Sequence, residues 1–214
     1  MSAAGHPVLA ELARHRLVPV IVIEDPSAAT LLGDGLVGGG LPVAEVTLRT
    51  PGALDAIATL AARGDLLVGA GTVLTVDQVD RAVDAGAQYI VSPGTSAEVI
   101  ARCHERGVAA LPGAVTATEV QAALTAGVTT VKFFPASTSG GPAAIRALAA
   151  PFAGVSFVPT GGIGADDVAQ YLAIPAVSAV GGSWMVPREA LRNGDGEEIR
   201  RQVAAAVSAA TKEE

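Results

Sequence analysis

The sequence predicts an α/β protein, a (β/α)8 TIM barrel preceded by an N-terminal helix. Three observations predict it. Short apolar runs alternate with longer amphipathic, alanine-rich stretches along all 214 residues. The runs are rich in Val and Ile with little polar alternation, as parallel strands covered on both faces read. Eight of them recur about every twenty to twenty-five residues, a repeat that fits strand, helix, strand.

The first predicted element is a helix ending near Arg16. The strands follow over Val18–Ile23, Pro42–Leu48, Leu66–Ala70, Gln88–Val91, Val108–Leu111, Thr129–Phe134, Val155–Pro159 and Val177–Val180. Ser27–Gly38 and Thr75–Ala85 are helical between them. Thr75 and Asp77 open the second of these and Gly86 stops it. Thr116-Ala-Thr-Glu119 has the spacing of a capping box, and Gly127 closes that helix. Gly38-Gly-Gly40 reads as a plain turn. Leu191–Thr211, broken by Asn193-Gly194-Asp195-Gly196, reads as the final helix. An open doubly wound sheet is the alternative. It more often has five or six strands and a GxGxxG turn after the first, and no such turn follows Ile23. No linker or second domain interrupts residues 1–214, so a single domain is expected.

Composition excludes several functions. Half the residues are apolar and mean hydropathy is +0.46. Yet stretches such as Leu17–Ile23 fall far short of the roughly 20 residues a bilayer needs. No basic region precedes an apolar run at the N-terminus, so a cytoplasmic protein is expected. Net charge is −7 with no basic cluster, which argues against nucleic-acid partners. Cys103 is the only cysteine. It is expected on a helix as a half-buried thiol, not as a ligand or a disulfide partner. His6, His15 and His104 show no metal-ligand spacing, so no metal site is expected.

The residue that stands out is Lys132. The chain has twelve arginines and two lysines; Lys212 lies in the polar tail. Lys132 lies inside an apolar strand, where a charge is costly unless paired or used. Alternation puts Thr130, Lys132 and Phe134 on one face and Val131 and Phe133 on the other. Lys132 is then expected to point into a barrel near the C-terminal end of strand six, where barrels keep catalytic groups. A desolvated amine can attack a ketone. A structural ion pair is the competing reading.

Strand two carries Glu45, Thr47 and Arg49 on one face. Glu45 could shuttle protons and Arg49 could grip a carboxylate; alternatively the two merely offset each other's burial. Strand seven ends in Pro159-Thr-Gly-Gly-Ile-Gly164 and strand eight in Gly181-Gly182-Ser183-Trp184. Glycine turns after these two strands often hold phosphate. Gly69-Ala-Gly-Thr72 adds a third small-residue rim.

With these motifs in place, the chain resembles the 2-keto-3-deoxy-6-phosphogluconate and 4-hydroxy-2-oxoglutarate aldolases from about Val18 to Pro187. The stretches are Glu45-Val-Thr-Leu-Arg-Thr50, Val68-Gly-Ala-Gly-Thr-Val73, Ser92-Pro-Gly94, Val131-Lys-Phe-Phe-Pro-Ala136, Pro159-Thr-Gly-Gly-Ile163 and Gly181-Gly-Ser-Trp184. The resemblance implies a class I, cofactor-free aldolase that forms a homotrimer of barrels. It makes Lys132 the Schiff-base nucleophile and Glu45 the general acid/base. It assigns Arg49 and Thr72 to the pyruvate carboxylate, and Pro93 and Phe134 to the reacting end. Gly161, Gly162, Gly182 and Ser183 fall on its phosphate turns, with Thr160 and Ser183 near the centres that fix sugar stereochemistry. The expected substrate is a phosphorylated 2-keto acid yielding pyruvate. The galactonate isomer and 4-hydroxy-2-oxoglutarate stay open, as do a phosphosugar isomerase, an epimerase and a silent binding barrel. Ala136-Ser-Thr-Ser-Gly140 is less familiar and could alter the rim.

Overall fold

A computed structural model describes residues 6–211; Lys212 lies outside them. Eight strands are present: β1 Leu17–Ile21, β2 Val43–Thr47, β3 Leu67–Gly71, β4 Tyr89–Val91, β5 Ala109–Leu111, β6 Thr130–Phe133, β7 Ser156–Pro159 and β8 Val180–Gly182. All ladders are parallel. They form a curled six-stranded sheet in the order β5-β4-β3-β2-β1-β8 and a β6–β7 pair. Isolated parallel bridges span the gaps between them: Gly113 to Lys132, Phe157 to Val177 and Thr160 to Gly181.

The helices are α1 Pro7–His15, α2 Ala29–Gly38, α3 Ala53–Ala61, α4 Val76–Asp84, α5 Ala97–Arg106, α6 Ala117–Thr125, α7 Gly141–Ala149, α8 Val168–Leu172, α9 Arg188–Asn193 and α10 Gly196–Thr211. Local sequence sets their ends. Thr75 with Gln78 and Thr116 with Glu119 each form a reciprocal capping box, which satisfies donors the first turn leaves free. Gly86 and Gly127 follow with positive φ. Val43, Ala44, Val46, Val68 and Ala70 are all buried, so both faces of the sheet are covered, as the unbroken Val/Ile runs predict.

Four expectations change. The predicted helix at Ser27 begins as a 3-10 turn over Pro26–Ala28, capped by Asp25, before α2. The final helix is two helices: Gly194 takes a left-handed conformation and ends α9, and α10 starts anew at Gly196. Strand eight lies further along than Val177–Val180. Its ladder to β1 pairs Leu17, Val18 and Pro19 with Val180, Gly181 and Gly182, while Val177 makes only the isolated bridge. Cys103 is fully buried in α5, not half-buried, and burial pushes its thiol up to about 12. No helix among the described residues is long and apolar enough to cross a membrane.

Candidate active site

Among the described residues, five polar or charged side chains are buried: Glu45, Thr47, Ser92, Lys132 and Thr160. Glu45 lies at the middle of its strand, and the other four lie in the C-terminal half of a strand or just after it. Because all ladders are parallel, these positions converge at one end of the sheet.

At the centre, Lys132 Nζ donates to Glu45 Oε1 at 3.0 Å. The two side chains are 7% and 2% exposed, so water scarcely screens the pair. They come from β6 and β2, 87 residues apart, across the gap between the two sheets. Lys132 is itself tied to the larger sheet: its N–H donates to the Pro112 carbonyl at 2.8 Å, and its carbonyl accepts from Ala114 at 2.9 Å. The Phe134 ring lies 5.2 Å from Nζ, within cation–π range.

Space for Glu45 comes from glycine. A β-carbon at Gly71 would overlap the Glu45 carboxylate, and one at Gly69 would strike the Tyr89 ring. Glu45, Gly69 and Tyr89 share one row of the sheet. Tyr89 thus fills the interior under Glu45, and its hydroxyl donates to the Ala44 carbonyl at 2.8 Å. Burial, then the Glu45 charge, raises its pKa well above the usual phenol value, so it stays a neutral donor. The sequence reading missed Tyr89. The signal was there in the two glycines of a strand that otherwise reads as apolar.

The structure pairs Arg49 with Thr72 rather than with Glu45. Arg49 follows β2, is exposed, and donates from Nε to Thr72 Oγ1 at 3.1 Å. Thr72 adopts φ 59°, an uncommon conformation for threonine, right after β3. Gly71 links this pair to Glu45. Pro93 reaches the site through its carbonyl, which leaves no room for a side chain at Gly113, the residue bridged to Lys132.

The two glycine pairs differ. Gly161 and Gly162 have φ of 99° and 71° and form a true turn. The Phe134 ring packs on Gly161, and the Ser137 hydroxyl occupies the space a Gly162 side chain would need. Gly181 and Gly182 are buried strand residues. Their missing β-carbons make room for the Thr160 hydroxyl and the Trp184 ring. Thr160 bridges to Gly181, so the ends of β7 and β8 meet, with Ser183 exposed beyond them. Among the described residues, the buried indole N–H of Trp184 has no hydrogen-bond partner.

Among the described residues, no three His, Cys, Asp or Glu side chains converge as metal ligands do. A cavity of about 360 Å³ between the β1–α2 loop and α9 is lined by residues such as Ile23, Leu31 and Arg188 and shares none with the lysine cluster.

The comparisons with known proteins agree with this geometry. Residues 8–202 match the family model described as KDPG and KHG aldolase. A 2-dehydro-3-deoxy-phosphogluconate aldolase from Treponema pallidum is 47% identical over 189 residues, 88% of this chain and 90% of that one. Among solved structures, the Legionella pneumophila KDPG aldolase with pyruvate captured as a covalent carbinolamine has TM-score 0.90 and 38% identity, covering 93% of this chain and 97% of that one. The Zymomonas mobilis 2-keto-3-deoxy-6-phosphogluconate aldolase with 3-phosphoglycerate also has TM-score 0.90 and 38% identity, covering 95% and 97%. Such similarity defines a carbon–carbon lyase, an aldolase. The chain belongs to the KDPG and KHG aldolase family.

Proposed function

We propose that this protein is a class I aldolase that cleaves 2-keto-3-deoxy-6-phosphogluconate to pyruvate and glyceraldehyde 3-phosphate through a Schiff base on Lys132. The observation that carries the reading is the buried 3.0 Å contact between Lys132 and Glu45, at the strand ends where folds of this kind keep their chemistry. A buried ion pair is weak support for stability; an amine beside a proton acceptor is what a Schiff-base enzyme needs.

Glu45 accepts the proton that Lys132 must lose, and the free amine attacks C2 of the substrate. A C–N bond forms as the carbonyl π bond breaks, and one proton moves from the attacking nitrogen to the former ketone oxygen, giving the carbinolamine hydroxyl. Glu45 returns its proton to that hydroxyl, which leaves as water, and an iminium remains. The Glu45 carboxylate then takes the C4 hydroxyl proton. The C3–C4 bond breaks, its electron pair flows to the iminium, and the aldehyde departs. Protonation of the enamine at C3 and hydrolysis release pyruvate and restore Lys132.

Around this centre, the Nη groups of Arg49 and the Thr72 hydroxyl hold the pyruvate carboxylate. Pro93 and Phe134 wall the reacting end, and Thr160 faces the sugar carbons. Gly161, Gly162, Gly182 and Ser183 hold the phosphate, with the turn at Gly161-Gly162 offering backbone N–H groups. The eight strands are read as a closed (β/α)8 barrel with α1 as the N-terminal helix, a single domain. The enzyme acts in the cytoplasm as a homotrimer without a cofactor. Leu74, 57% exposed after β3, offers an apolar contact between copies.

Incubation with pyruvate, reduction with borohydride and mass spectrometry test the reading. A stable adduct on Lys132 is expected, lost in Lys132→Ala. An unmodified protein would sink the Schiff base, and activity abolished by a chelator would point to a metal-dependent aldolase. Relative kcat/KM on the gluconate, the galactonate isomer and 4-hydroxy-2-oxoglutarate ranks the substrates.

A further inference from the structure

The loop after β6 runs directly over the Gly161-Gly162 turn. Ala136 N–H donates to the Thr160 carbonyl at 2.8 Å, and Ser137 N–H to the Gly161 carbonyl at 3.1 Å. These two bonds fix the loop against the turn. The Ser137 side chain is exposed, yet its hydroxyl stands where a Gly162 side chain would project. Its neighbour Thr138 folds its hydroxyl back onto the Pro135 carbonyl. Among the described residues Ser137 Oγ has no such partner. Asp167, on the following 3-10 turn, is engaged by the Gly164 N–H at 3.0 Å. A hydroxyl without a protein partner among the described residues therefore lies alongside the Gly161-Gly162 turn.

We infer that the Ser137 hydroxyl donates a hydrogen bond to the distal phosphate of the substrate and sets the preference for phosphorylated over unphosphorylated 2-keto-3-deoxy acids. The inference rests on the phosphate role proposed for Gly161 and Gly162. Ser137 belongs to the Ala136–Gly140 segment, the part of the rim that the family motifs leave unassigned. Its hydroxyl adds a donor that backbone N–H groups cannot supply from that side of the turn. A serine also brings no charge, so an acid at the same place would oppose the phosphate.

The test compares kcat/KM on 2-keto-3-deoxy-6-phosphogluconate with kcat/KM on unphosphorylated 2-keto-3-deoxygluconate. Wild type is expected to prefer the phosphorylated acid. Ser137→Ala lowers that preference about ten- to thirtyfold, as loss of one hydrogen bond to a charged group should. The change appears in KM for the phosphorylated acid. Ser137→Asp lowers it further, on the order of a hundredfold, because a carboxylate then faces the phosphate. Thr138→Ala, one residue along the same loop, keeps the wild-type preference. A preference in Ser137→Ala within twofold of wild type overturns the inference, and so does an equal drop in Thr138→Ala. The pyruvate–borohydride adduct is measured on each protein. An adduct with an unmoved preference sinks the Ser137 assignment alone, and no adduct in wild type sinks the proposed function with it.

Discussion

Two groups of ion pairs in this protein look alike on a contact map and are physically opposite. On the surface, Asp80 accepts from both Arg102 and Arg106, which also reach Glu105 and Asp84. Water and salt screen those charges, so each contact adds little. Inside, Lys132 and Glu45 meet with almost no exposure to water. Taking both charges out of water costs several kcal/mol per ion, which their attraction offsets only in good geometry. The surface cluster joins α4 to α5 and is replaceable. The inner pair is a poor way to hold a sheet together, and the proposed chemistry gives it another use, an amine kept beside its proton acceptor.

The sharpest break of that comparison is Glu45→Gln. It keeps the shape and removes the proton acceptor, so kcat should fall about 10²- to 10³-fold while some pyruvate adduct still forms. Unchanged turnover would remove Glu45 from the chemistry. Next, the double variant Lys132→Met/Glu45→Leu should be inactive but as stable as wild type, or more stable by about 1–4 kcal/mol, in urea unfolding. A large loss of stability would mean that the pair holds the fold. The smallest effect belongs to Asp80→Asn. Activity should stay at the wild-type level and Tm should drop by about 2 °C or less, less still in high salt. Arg102, then Arg106, holds the Asp80 carboxyl below the usual range. Its contribution is therefore present above the ordinary carboxylate pKa and disappears as pH falls through the lowered one. The Tm gap to wild type should close on acidification; a gap that widens there contradicts the assignment.

Much of this was legible in the sequence, for identifiable reasons. Lys132 stood out because lysine is so scarce here and its neighbours are so apolar. The capping boxes at Thr75 and Thr116 are local and need no tertiary knowledge. The family resemblance already grouped Arg49 with Thr72, whereas strand periodicity put it with Glu45, because a period of two cannot say where the chain leaves the strand. Arg49 lies past that point and meets Thr72, while Glu45 stays inside and meets Lys132. Strand eight was misplaced because glycine carries no hydrophobic signal, although the backbone of Gly181 and Gly182 completes the ladder to β1. Tyr89 was missed because it packs against a glycine twenty residues away, and Ser137 was legible only as part of a segment that could alter the rim, because its neighbour Gly162 is at least as distant in sequence.

Tyr89 also decides the traffic. It sits in the same row as Glu45 with its hydroxyl bonded to Ala44, so the proposed active site has a floor of ring and hydrogen bond beneath its carboxylate. On the Schiff-base reading proposed above, a substrate that enters from the strand ends is split above this floor, and the fragment on the rim side departs ahead of the one still bonded to Lys132.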